Sequence, residues 1–237
     1  MTAPILLIQV RDDATAESQE VRCFAERCGL PETDLERINV VERPDIQWDH
    51  VAHAGVLLLG GAGRHSAVED YPFTEPLTRV IRRWIDESRP FFGSCWGHQF
   101  LARVLGGKVI HDRQRGEIGT HDIELTEAGR EDLLFLGLPD RLPAHMGHHD
   151  RVAQIPETMV ELARSELCPN QTIRVRDKPA YGTQFHSEMS AEDFRKRLGI
   201  YREEYLAHDS DLEQIGDQLR PAPDVEGLLR RFLKIYA

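Results

Sequence analysis

Cysteine is scarce in this chain, and none of it is paired by spacing. Cys23, Cys28, Cys95 and Cys168 are the only four in 237 residues, and no two stand in the C-x-x-C spacing of a zinc or dithiol motif. A disulfide scaffold and a zinc ribbon are therefore excluded. Long apolar runs are missing too: no stretch approaches the ~18 consecutive apolar residues of a membrane-spanning helix. The start, Met1-Thr2-Ala3-Pro4-Ile5-Leu6-Leu7-Ile8, lacks the basic region of a signal peptide, so a cytoplasmic protein is expected. Basic residues are in deficit, 29 against 40 acidic ones, for a net charge of −11. That sign disfavours nonspecific attraction to nucleic acid or to an anionic membrane, and neither is expected as a partner. Neither the Gly-Lys-Ser/Thr of a P-loop nor the G-x-G-x-x-G of a dinucleotide turn is present, and there is no internal repeat or low-complexity segment.

What is present is an ordinary core-forming composition, 41% hydrophobic, arranged as alternating strands and helices. Ile5–Val10, Arg37–Val41, Gly55–Leu59 and Pro90–Gly93 read as strands. The stretches around Glu17–Cys28, Leu77–Glu87 and Trp96–Leu105 read as helices, the second with Leu77, Val80, Ile81, Trp84 and Ile85 on one face. Apolar strands alternating with helices predict an α/β fold, with a mostly parallel central sheet covered by helices on both sides. Further on, Thr120–Leu125, Met159–Ser165, Gln171–Val175 and Ala180–Phe185 look like strands with few helices between them. They predict an added antiparallel element that feeds back into the main sheet. After Ser190 the chain turns helical and heavily charged, and Val225–Tyr236 reads as a last amphipathic helix beyond Pro221 and Pro223. The expected division is a domain over residues 1–199 and a charged helical C-terminal extension over 200–237.

The chemistry concentrates at Cys95. Phe91-Phe92-Gly93-Ser94-Cys95-Trp96-Gly97-His98-Gln99 is an apolar strand that breaks into Gly-x-Cys-x-Gly and opens a helix. This is the pattern of a nucleophile elbow with Cys in place of Ser. Such a turn lifts the sulfur above the sheet at a helix N-terminus, where free N–H groups and the helix dipole favour thiolate over thiol. A base is available in His186, at the end of a strand reading, and Glu188 two residues on is placed to orient it. An oxyanion needs N–H donors. The buried strand Leu57-Leu58-Leu59 empties into the glycine-rich turn Gly60-Gly61-Ala62-Gly63, which can present one, and Trp96 supplies a second.

Other features read as structural. Cys23 and Cys28 pack in the first helix, and Cys168 has no evident partner. His145, His148, His149 and Asp150 are crowded, but adjacent histidines on a strand point to opposite faces, so no metal site is expected. The run Arg195–Glu204 reads as a solvated helix face of alternating charge.

Together, Gly93-Ser94-Cys95-Trp96-Gly97-His98-Gln99, Gly60-Gly61 and Phe185-His186-Ser187-Glu188 resemble the class I glutamine amidotransferases, most closely the amidotransferase half of GMP synthases. Arg115-Gly116-Glu117-Ile118-Gly119 is similar to that family's Arg-x-Glu-x-Gly stretch, and Met146-Gly147-His148-His149-Asp150 to its Met-Ser-His-Gly-Asp segment. The resemblance covers about residues 50–190. It implies a flavodoxin-like class I amidotransferase fold and a thioester mechanism on Cys95, His186 and Glu188 that needs no cofactor. It also implies an oxyanion hole at Gly61 and Trp96, and a substrate pocket bordered by Gln99, His148 and Asp150. No Ser-Gly-Gly-x-Asp-like ATP loop is found, so a stand-alone protein is expected. It would hydrolyse glutamine to glutamate and ammonia and feed a separate synthetase subunit. The alternatives are hydrolysis of another γ-glutamyl compound by the same triad, and a non-catalytic binding module.

Overall fold

Five apolar residues out of six, spread over both faces of Ile5-Leu6-Leu7-Ile8-Gln9-Val10, build a strand that can only be central, and the chain is organised around it. The computed structural model describes residues 3–206 and 209–237. In chain order its elements are β1 (Ile5–Val10), α1 (Ala14–Cys28), β2 (Leu35–Asn39), β3 (Val56–Ala62), α2 (Thr74–Asp86), β4 (Phe91–Ser94) and α3 (Trp96–Val104). The middle of the chain adds β5 (Lys108–His111), β6 (Glu117–Leu125), α4 (Glu127–Glu131), β7 (Arg141–His148), β8 (Asp150–Gln154), β9 (Met159–Ser165), β10 (Thr172–Val175) and β11 (Ala180–Thr183). It closes with α5 (Ala191–Ile200), α6 (Arg202–Tyr205), α7 (Asp209–Gln218), α8 (Pro223–Glu226) and α9 (Leu228–Tyr236).

Local chemistry fixes the ends of α1. Asp13 caps it, its carboxylate accepting from the N–H groups of Thr15 and Ala16 at 2.9 Å each, which satisfies donors that the helix itself cannot. Gly29 stops it in the left-handed conformation at φ 74, the usual glycine terminus.

One nine-stranded sheet runs in the order β2-β1-β3-β4-β11-β10-β9-β6-β7, and β5 and β8 form a separate two-stranded antiparallel pair. From β2 to β11 all neighbours are parallel; from β11 to β7 they are antiparallel. The expected α/β architecture is thus observed, with the antiparallel element continuing the main sheet. The parallel half has the doubly wound order in which sites form beyond the carboxyl ends of the strands. Side chains alternate across it. Leu57 and Leu59 face a core shared with Leu77, Ile81 and Trp84 of α2 and Phe100 of α3. Val56 and Leu58 face the other core, shared with Phe24 of α1 and Leu228, Leu229 and Phe232 of α9.

The observed elements differ from expectation in places. β5, β7 and β8 were not anticipated. Pro143 and Gly147 interrupt the apolar alternation of β7, and Pro143 is tolerated because β7 is the sheet's edge. The second strand lies two residues earlier than expected, and Ala180–Phe185 leaves the sheet at Thr183. The final helix is divided at Gly227 into α8 and α9. The run Arg195–Glu204 is solvated only in part: Arg197 is 4% exposed and Tyr201 1%. Arg197 Nε donates to Gln19 Oε1 at 2.7 Å, which turns this residue inward onto α1. Cys23 and Cys28 are buried in the first helix as expected, and Cys168 Sγ donates to the Arg115 carbonyl at 3.1 Å. No helix among the described residues is long and apolar enough to cross a membrane.

The last helix is integral to the core. Phe232 is fully buried and packs edge-to-face on Phe92 and Tyr181, with ring centroids 5.4 and 5.8 Å away. Phe232→Ala is expected to cost about 3–5 kcal/mol, measured by urea unfolding. A loss under about 1 kcal/mol, the range of ordinary surface substitutions, would mean that the sheet does not need α9.

Candidate active site

Three strand ends and one helix start converge on Cys95. The residue sits between β4 and α3 at φ 50, ψ −101, a conformation non-glycine residues rarely adopt and one that costs about 1–3 kcal/mol. The fold holds it there from both sides. Cys95 N–H donates to the Thr183 carbonyl at 2.8 Å, and its own carbonyl accepts from Gln99 N–H at 3.1 Å. Neither flanking glycine leaves room for a side chain. A Cβ on Gly93 would stand 2.6 Å from the Gly97 carbonyl, and one on Gly97 would strike the Leu59 carbonyl. The turn expected from Gly-x-Cys-x-Gly is the turn observed.

His186 follows β11, and its N–H donates to the His145 carbonyl at 2.9 Å. Its Nδ1 lies 2.7 Å from Glu188 Oε1, which leaves Nε2 for chemistry. Glu188 is fully buried and is held from its other oxygen by Ser94 Oγ, donating at 2.6 Å. Burial alone would discharge both members of this pair. The charges of Glu188 and Cys95 overcome it and raise the His186 pKa, while the His186 charge and the bonds from His186 and Ser94 lower that of Glu188. Two neighbouring histidines behave oppositely. Burial pushes His98 down to about 3, and burial with the His186 charge pushes His145 down to about 4. A proton near Cys95 therefore resides on His186 in preference to either of them.

Cys95, Trp96, Gln99, His148 and Asp150 line one cavity of about 160 Å³. The sequence-selected residues are thus brought together, though several are less free than their types suggest. Gln99 Nε2 donates to the Asp150 carbonyl at 2.7 Å and to Gln184 Oε1 at 3.1 Å. The Asp150 carboxylate takes Ser66 Oγ at 2.6 Å, the Ala67 N–H at 3.0 Å and His111 Nδ1 at 2.8 Å. It holds the rim loop after β3 and has little capacity left for a ligand. His148 Nδ1 faces the Asp150 carbonyl at 3.1 Å, and its Nε2 lies 3.4 Å from Glu117.

The oxyanion candidates differ from each other. A Cβ on Gly61 would lie 3.3 Å from His186 Cε1 and 3.7 Å from Cys95 Cβ, so the turn is laid directly against these two residues. Its N–H, however, donates to Glu20 Oε1 at 3.1 Å. That carboxylate is fully buried, paired with Arg11 at 2.6 Å and bonded by Gln9 Nε2 at 3.0 Å. Trp96 opens α3, and the first N–H groups of a helix have no intrahelical acceptor. Its indole stacks on Phe100 at 4.6 Å, which fixes the first turn.

Several site residues were not anticipated: Ser94 and Gln184 beside Glu188 and Cys95, Arg11 and Glu20 beneath the glycine turn, and Tyr205 on the pocket wall. Gln184 carried a signal, since it stands two residues before His186 near the end of a strand. Arg11 and Glu20 carried none, because their partners are distant in sequence.

A sequence model of the glutamine amidotransferase class-I family matches residues 30–199. A glutamine-hydrolyzing GMP synthase subunit of Methanopyrus kandleri is 33% identical over 141 residues, 60% of this chain and 70% of that protein. Its counterpart in Pyrococcus abyssi is 32% identical over 137 residues, 58% of this chain and 67% of its own length. A glutamine amidotransferase structure from Thermotoga maritima shares the fold over 100% of this chain and 99% of its own, with a TM-score of 0.78 at 22% identity.

Proposed function

Because the chain belongs to the class I glutamine amidotransferase family, we propose that it hydrolyses the side-chain amide of glutamine through a Cys95 thioester. The supporting observation is the elbow conformation of Cys95 beside a buried His186–Glu188 pair, at the wall of a small polar pocket. In this reading Sγ attacks the amide carbonyl carbon, and the Trp96 N–H receives the developing oxyanion. Gly61 shapes the same wall, its own N–H being directed at Glu20. The His186 imidazolium protonates the leaving nitrogen, and ammonia departs. A water then adds to the thioester carbonyl with neutral His186 as its base, and glutamate leaves as the C–S bond breaks. Glu188 orients the ring throughout, and Gln99, His148 and Asp150 shape the pocket. No step calls for a metal or cofactor.

The likeness to proteins named as single subunits of GMP synthase supports a division of labour in which ammonia passes to a separate synthetase polypeptide. The second reading, hydrolysis of another γ-glutamyl compound, is favoured by the pocket wall. Glu204 and Tyr205 line it from beyond the family-matched segment, which ends at residue 199.

The deciding experiment compares glutamine with γ-glutamyl dipeptides, with and without a candidate synthetase, alongside labelling by 6-diazo-5-oxo-L-norleucine. One equivalent of label on Cys95 and turnover of glutamine are expected. Preference for the dipeptides without stimulation by a partner selects the second reading. A folded protein that takes no label and turns over neither substrate is a binding module.

A further inference from the structure

Beside the substrate pocket, and sharing Ala62, Gly147 and Tyr205 with its lining, lies a second, much smaller cavity of about 10 Å³. His186 forms part of its wall, as do Arg11, Arg197 and Tyr201. These last three are 2%, 4% and 1% exposed. Arg11 Nε and Arg197 Nη1 are buried without a protein partner, and the Tyr201 hydroxyl, with none in close hydrogen-bond geometry, is directed at the Arg11 guanidinium. A single buried donor left unsatisfied costs about 1–3 kcal/mol. Two unsatisfied arginine donors and a hydroxyl, all on residues that wall one small space, point to a shared polar ligand.

The donors define it. Two of the three atoms are arginine N–H groups, so the ligand must accept at least two hydrogen bonds. Ammonia, with one lone pair, does not fit, and ammonium has none. The space is that of a single water molecule, too small for phosphate or a carboxylate. A water accepts from both arginines and still has protons for the tyrosine oxygen and for a base.

We propose that this cavity holds the water that deacylates the Cys95 thioester, stored next to its base rather than drawn in through the mouth of the pocket. The proposal rests on the thioester reading above. Once the leaving nitrogen has taken the His186 proton, the imidazole is neutral and accepts a proton from this water. The oxygen leaves its arginine donors and bonds to the thioester carbonyl carbon. The tetrahedral intermediate collapses with cleavage of the C–S bond. Sulfur leaves as thiolate, His186 keeps its proton, and the γ-carboxylic acid product releases its own to solvent. Arg11, Arg197 and Tyr201 act as positioning residues.

Two variants test this without disturbing the triad. Tyr201→Phe removes only the hydroxyl. Arg197→Lys removes the Nη1 donor and keeps the charge, at a residue that lines the small cavity and not the substrate pocket. Rapid-quench single turnovers with L-γ-glutamyl-p-nitroanilide give acylation as p-nitroaniline release and deacylation as loss of the acyl-enzyme mass. The acyl half is the same whatever the natural leaving group. Deacylation is expected to slow about tenfold in both variants, the loss of roughly one hydrogen bond, with acylation within about twofold of wild type. Hydroxylamine, entering by the pocket mouth, should restore acyl-enzyme breakdown. Unchanged deacylation in either variant, or parallel loss of both steps, overturns the water site. Wild-type protein that forms no acyl-enzyme refutes the thioester reading itself.

Discussion

Cys95→Ala is expected to lower hydrolysis by at least about four orders of magnitude, because removing the nucleophile of a triad leaves only binding and oxyanion stabilisation. The fold should survive. Alanine is smaller than cysteine, and the positive φ at this position is maintained by backbone bonds, from the Cys95 N–H to the Thr183 carbonyl and from the Gln99 N–H to the Cys95 carbonyl, that do not involve the side chain. The sulfur's contacts with the Gly147 carbonyl at 3.9 Å and Gln184 Nε2 at 3.8 Å are long. Release of glutamate, measured beside a thermal melt, checks both halves of the expectation. Near-normal turnover in a folded Cys95→Ala protein would falsify the mechanism.

Glu188→Gln is expected to cost at least roughly a hundredfold in kcat/KM and to move the alkaline limb of the pH profile toward acid. The direction follows from the charges. His186 has its pKa raised from 6.5 against burial, through the Glu188 and Cys95 charges. An uncharged amide of the same shape leaves the burial and removes the carboxylate, so the imidazolium is lost at lower pH. The same linkage appears in stability. A histidine raised on folding contributes fully below its unfolded pKa, near 6.5, and loses that contribution as pH rises to about 9. Wild-type protein should therefore lose stability across this interval, and Glu188→Gln should lose much less. A variant whose pH–rate profile superimposes on wild type would exclude Glu188 as the partner that charges His186.

Much of this was legible in the chain itself. The apolar strands declare a central sheet, and Gly93 and Gly97 declare a turn too tight for side chains. His186 and Glu188 are close enough in sequence for their pairing to be read locally. What escaped reading depends on contacts between distant segments. Glu20 looks like any helix acid until the glycine turn is folded over it. Arg197 sits in a run whose alternating charges suggest solvent, yet it turns inward because Gln19 and Ala16 of α1 present acceptors there. β7 hid behind Pro143 and Gly147, which an edge strand tolerates and an interior one would not.

The place of β11 has a consequence for biosynthesis. This strand lies between β4 and β10, and it brings His186 to a nucleophile made in the first half of the chain. While β11 is still unmade, Cys95 lacks the base and orienting carboxylate of the proposed mechanism and the Thr183 carbonyl that seats its amide. Phe92, just before the elbow, is finally covered by Phe232 from α9. Under the proposed mechanism an emerging polypeptide is expected to carry a dormant thiol, with reactivity arriving when the last helix closes the core. Recovery of activity after dilution from denaturant should coincide with the slowest, most non-local stage of refolding.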